Sequence, residues 1–182
     1  MAPLMAIRRR ISFLTTASSA QVKRAVLISV IVFAGVLLFA QNYAFYLDTQ
    51  SVSCFKERFF FGEKANKDSV YQKGQIVSFL GNEHVMLGLF NGERIAKKII
   101  GVPGDVIVTK LGFLYINGDA ALRLNPTTLQ KIAKRGKTPI EINKTLEKDE
   151  YVVAADADVS FDSRYWGTLH SFEIDKKLWA LL

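Results

Sequence analysis

The sequence predicts a mainly β domain, residues 48–182, held behind a single N-terminal transmembrane helix, residues 25–47. Three features of the 182-residue chain predict it: one long uncharged apolar run, a basic segment before that run, and a succession of short β-type runs with turn signals after it. The length suits one folded core with an appendage.

The first 24 residues form a basic tail carrying Arg8, Arg9, Arg10, Lys23 and Arg24, which accounts for much of the net charge of +7. The run that follows, AVLISVIVFAGVLLFAQNYAFYL, has no charged residue, and as a helix it spans roughly 30 Å or slightly more, enough to cross a bilayer. Tyr43, Phe45 and Tyr46 fall where an interfacial aromatic belt belongs, and Asp48 closes the segment. With the cations on its N-terminal side, the positive-inside bias keeps the N-terminus in the cytoplasm and puts the rest outside it. A cleaved secretory signal fits less well, because the apolar run is too long and Ala40-Gln41-Asn42 is a poor cleavage site.

Composition narrows the chemistry. The later lysines alternate with acids and form no nucleic-acid-binding motif, so no nucleic acid is expected as a partner. Cys54 is the lone cysteine, which excludes an internal disulfide and a cysteine-rich zinc site. His84 and His170 lack paired-ligand spacing, and neither a metal nor another cofactor is expected.

Beyond the membrane run, Gln75-Ile76-Val77-Ser78-Phe79 and residues 94–100 read as short strands, and Asp105-Val106-Ile107-Val108-Thr109 alternates as a half-buried strand does. Phe113-Leu114-Tyr115-Ile116 runs into Asn117-Gly118, a hairpin turn signal. Residues 150–154 make another strand, and Phe59-Phe60-Phe61 reads as strand core or as a surface that meets lipid. Residues 122–148 are polar and lysine-rich, with Pro126 and Pro139, and read as an excursion from the sheet with a short helix over 129–135.

Three patterns carry chemistry, in this order: Ser51-Val52-Ser53-Cys54-Phe55; Lys97-Lys98-Ile99-Ile100-Gly101-Val102-Pro103-Gly104-Asp105; and Ser160-Phe161-Asp162-Ser163-Arg164-Tyr165-Trp166-Gly167. A serine hydroxyl needs a neighbouring base to act as a nucleophile. Without a suitably placed histidine the candidate is a lysine, which serves as a base only where an apolar setting favours its neutral form. Strand alternation puts Lys97 with Ile95 and Ile99, and Lys98 with Ile100, and does not choose between the two lysines. Cys54 has no motif joining it to a histidine and reads as a small apolar residue beside the site.

Behind an N-terminal anchor, this ordered set resembles the motif boxes of the type I signal peptidases and of their conjugative-transfer relatives, the TraF-like pilin-processing peptidases. The resemblance implies a signal-peptidase-like β catalytic domain, with Ser53 as nucleophile and Lys97 as general base. It implies that the Ser51 hydroxyl helps form the oxyanion hole, that Ser160 orients the lysine, and that Asp162 and Arg164 support the site. It also implies a protein of the inner (cytoplasmic) membrane with a periplasmic domain, acting on a membrane-inserted precursor, either a pilin or a secretory preprotein. The small size and the 48–53 approach favour the pilin branch; the housekeeping enzyme and a non-catalytic pilus-assembly component are the alternatives. Two departures stand out: no proline follows Ser53, and Ala155-Asp156-Ala157 replaces the family's Gly-Asp-Asn.

Overall fold

The structure, a computed structural model of the chain, describes residues 18–48, 55–66 and 69–181. The chain divides after Asn42 into two units.

The first unit holds helix α1, Ser19–Asn42, which is long and apolar enough to cross a membrane and has no buried residue. Ser18 caps it reciprocally with Gln21: the Gln21 N–H donates to Ser18 Oγ (3.3 Å) and the Ser18 N–H to Gln21 Oε1 (2.8 Å). The expected span of 25–47 is therefore corrected at both ends. The helix starts six residues earlier, taking in Lys23 and Arg24, whose long stems can carry their charges to the interface. It stops at Asn42, because Tyr43–Leu47 is strand β1. An uncharged apolar run reads alike as helix or strand, and the decision here is tertiary: β1 pairs antiparallel with β2, Phe59–Lys64, from Tyr43 opposite Glu63 to Leu47 opposite Phe59.

The remaining strands of the second unit are β3 (Ile76–Leu80), β4 (Arg94–Gly101), β5 (Val106–Lys110), β6 (Phe113–Ile116), β7 (Asp119–Arg123), β8 (Asn143–Thr145), β9 (Glu150–Ala154), β10 (Leu169–His170) and β11 (Ile174–Ala180). Among the described residues they form one sheet of order β1-β2-β11-β3-β4-β9-β10 and a second of order β7-β6-β5-β8. The unit is mainly β, as expected, and its named strands pair antiparallel. Asn117 and Gly118 both take positive φ (55° and 91°), which the tight β6–β7 turn requires.

The 122–148 excursion is built from regular pieces. Helix α2, Pro126–Lys134, starts three residues before the expected position, because Asn125 accepts the Thr127 and Thr128 N–H groups and Pro126 stands where no N–H is needed. Its end returns as β8, which pairs with β5.

The main core lies on one face of the larger sheet, with Val77, Phe79, Ile99, Tyr151 and Val153 packed beneath Tyr165 and Trp166 of the short helix α3, Ser163–Trp166. A smaller cluster on the other face holds Phe55, Phe60, Ile76 and Leu178. Strand alternation splits the triple phenylalanine. Phe60 is buried in that cluster, while Phe59 and Phe61 join Phe45 and Trp179 in an outward aromatic strip with ring centroids 5.4–6.0 Å apart.

Candidate active site

Lys97 sits in the middle of β4, with β3 on one side and β9 on the other. Of the two adjacent lysines, the fold buries this one: Lys97 is 3% exposed, on the same face as Ile99 and directly opposite Val77, both fully buried. Lys98 points to the other face, is half-buried, and pairs with Asp156 at 2.7 Å. Two flanking strands fix the Lys97 backbone, so its amine can move only through its own side chain. That amine donates to Ser160 Oγ at 2.9 Å.

Ser160 belongs to the irregular stretch between β9 and α3, and the residues that follow hold it. Arg164 and Asp162 are 1% and 0% exposed at their side chains. The guanidinium forks onto the carboxylate, Nε to Oδ1 and Nη2 to Oδ2, each at 2.8 Å. Its remaining donors reach the Arg123 carbonyl (2.9 Å) and the Ser160 carbonyl (3.3 Å). Burial alone would lower the Arg164 pKa; the hydrogen bonds and charge of Asp162 outweigh it and raise it above the ordinary value. Asp162 also accepts the Arg164 N–H at the start of α3 and the Ala155 N–H at the end of β9. Ser163, which the sequence did not single out, accepts the Val153 N–H at 2.9 Å and ties α3 to the sheet. Only its place inside the third motif hinted at this.

The glycine-rich box after Lys97 is a turn with an anchor. The Asp105 N–H donates to the Val102 carbonyl (3.0 Å), Pro103 and Gly104 fill the corner, and Gly104 has φ of +91°. Gly101 is needed for space, since a Cβ there would lie 3.0 Å from Val152 Cβ. The Asp105 carboxylate accepts the Val102 N–H and the Asn117 amide, each at 2.8 Å, and pairs with Lys73 at 2.9 Å. Burial pushes its pKa up, but these partners overcome that and hold it below the usual carboxylate value. This clamp fixes the end of the lysine strand.

A family model described as "Signal peptidase, peptidase S26" matches residues 18–178, nearly the whole chain. The chain belongs to this family. Its members are serine endopeptidases of the signal peptidase I kind, acting on precursor proteins at the membrane. Among solved structures, a signal peptidase I from Enterococcus faecalis V583 is 25% identical over 63% of this chain and 98% of its own, with a TM-score of 0.37. No curated protein matches the chain.

Of the residues that the signal-peptidase motifs point to, the structure brings together Lys97, Ser160, Asp162 and Arg164 in one buried network. Ser51, Ser53 and Cys54 lie outside the described residues, as do Arg8, Arg9 and Arg10 of the basic tail. Phe55, where description resumes, packs with Ala96 and places its ring 5.9 Å from Lys98 Nζ.

Proposed function

We propose that the protein is a single-pass inner-membrane endopeptidase in which Lys97 activates Ser53 to remove the leader from translocated precursors. The observation that carries this is a lysine 3% exposed on a central strand, with its amine hydrogen-bonded to Ser160. The neutral Lys97 amine takes the Ser53 hydroxyl proton as the oxygen attacks the scissile carbonyl carbon. The Ser53 N–H and the Ser51 hydroxyl meet the oxyanion. Collapse breaks the peptide bond, and the ammonium returns its proton to the leaving amine. Lys97 then deprotonates a water that hydrolyses the acyl-enzyme. Ser160 accepts from Lys97 and so fixes the direction in which the amine's lone pair points.

The basic tail puts the N-terminus in the cytoplasm and the second unit outside it. Ser53 follows the end of α1 by eleven residues, and the outward strip of Phe45, Phe59, Phe61 and Trp179 suits work at a lipid surface. Within the family, the 48–53 approach favours maturation of a pilin-like precursor for conjugative transfer.

The test is full-length protein in detergent with a radiolabelled precursor, comparing wild type with Ser53→Ala and Lys97→Ala. Both variants should lose processing. Undiminished cleavage by Ser53→Ala would refute the assignment and favour a non-catalytic assembly role. Faster cleavage of a general secretory precursor than of a pilin precursor would favour the housekeeping branch.

A further inference from the structure

We propose that helix α2 acts as a splint for Ser160, with Thr128 as the positioning residue and Asn125 as the residue that places it; this rests on the active-site role of Lys97 and Ser160 given above. Ser160 lies in an irregular stretch and has no strand ladder to hold it. A peptide unit is planar, so the carbonyl of Val159 and the N–H of Ser160 belong to one rigid plate. That plate is gripped at both ends. The Ser160 N–H donates to the Ala157 carbonyl at 3.0 Å, and the buried Thr128 hydroxyl donates to the Val159 carbonyl at 3.1 Å. Arg164 grips the next plate through the Ser160 carbonyl. With both plates held, the Cα–Cβ direction of Ser160 is set, and with it the oxygen that meets Lys97.

The grip from α2 differs in kind from the others, because it reaches in from a separate part of the chain. Asn125 makes it possible. Its Oδ1 accepts the Thr127 and Thr128 N–H groups (2.9 and 3.3 Å), its Nδ2 donates to Asp158 Oδ2 (2.6 Å), and its backbone N–H donates to the Tyr165 hydroxyl (2.8 Å). One side chain thus starts the helix and ties it to the stretch that the helix supports. Ile132, buried one turn beyond Thr128, keeps α2 seated, while Lys131 and Lys134 stay exposed.

The experiment uses full-length protein in detergent and a radiolabelled precursor whose apolar segment ends in an Ala-x-Ala site. Thr128→Val keeps the side chain's shape and removes the donor. It should lower kcat about tenfold with KM unchanged, since displacements near 1 Å at a reacting group carry effects of that order or more. Thr128→Ser should restore most of the loss, and Asn125→Asp, which keeps the cap and loses the donor to Asp158, should fall between. In a Ser160→Ala background Thr128→Val should cost nothing further, because it acts through Ser160. Wild-type kcat in Thr128→Val, or the same tenfold loss in both backgrounds, overturns the splint while Ser160→Ala and Lys97→Ala still lose activity. Undiminished processing by those two variants would sink the active-site assignment itself, and the splint with it.

Discussion

Asp162→Asn tests the buried fork beneath the active site. The wild-type carboxylate accepts two side-chain bonds from Arg164 at 2.8 Å and two backbone N–H groups at 3.3 and 3.4 Å, with neither partner's side chain more than 1% exposed. Asparagine keeps the volume and one acceptor oxygen. It turns an NH₂ group toward the other guanidinium nitrogen and leaves the charge unneutralised. A stranded buried donor costs about 1–3 kcal/mol, and breaking a buried ion pair from one side costs about 3–5 kcal/mol in all. For a domain of this size each kcal/mol lowers Tm by about 2–4 °C, so the expected drop is roughly 6–20 °C. Thermal unfolding of the full-length protein in detergent, followed by tryptophan fluorescence, reads it directly, because Trp166 is buried in the helix that Asp162 caps. Asp158 is the control: it lies 3.8 Å from the same guanidinium but is 72% exposed, and its change to Asn should cost less than about 1 kcal/mol. Equal shifts for the two variants, or a loss below about 1 kcal/mol at Asp162, would refute the view that this fork holds the site.

Lys97→Met fills the same space without an amine; it should abolish precursor cleavage without lowering Tm, since no polar group then has to be buried in that strand. Gly104→Ala meets no neighbouring atom, yet it forces a side chain into φ of +91°, and should cost about 1–2 kcal/mol by denaturant titration. Glu150 is buried, which alone would raise its pKa, but the Glu147 N–H, Lys144 and Thr168 outweigh that and hold it below the ordinary value. A depressed folded pKa contributes stability that is complete above the unfolded value, about 4.3, and is lost as pH falls through the folded one. Glu150→Gln should therefore lower Tm at neutral pH and flatten its decline below about pH 4; a parallel shift at all pH values would contradict this.

Much of the sheet was legible because alternation reports a half-buried strand directly, as in β5, and because Asn117-Gly118 after the apolar run of β6 has few other uses. What escaped has physical reasons. β8 is three exposed residues whose only signature is the ladder they make with β5. β11 is interrupted by Lys176 and Lys177 and carries a register shift after Ile174, which breaks the period of two. The end of α1 was hidden because Tyr43–Leu47 is as apolar as the helix before it, and only the partner strand Phe59–Lys64 tells them apart. The start of α2 was readable in Asn125-Pro126, a cap followed by proline, but the apolar period points to the later Leu129 and Ile132. At the site, the family resemblance picked out Lys97, Ser160, Asp162 and Arg164, whereas strand alternation by itself did not choose between Lys97 and Lys98, because that depends on which face the core covers.

The site divides its demands between two kinds of support. Lys97 draws its position from the β3 ladder, where it lies opposite Val77, and from the β9 ladder that starts at its neighbour Lys98. Among the described residues Ser160 is held by point contacts, each from one donor or acceptor, so its position is the sum of a few separable bonds. Substitutions around Ser160 should therefore change the rate by degrees, whereas those of the apolar neighbours of Lys97 on the core face of β4, such as Ile99, should act mainly through stability. One departure from the family's motifs fits this division. The altered Ala155-Asp156-Ala157 opening falls in the stretch that the excursion braces from outside. There Asp158 bonds Asn125 and Val159 bonds Thr128, so a segment that looks inserted supplies constraints where the motif has changed.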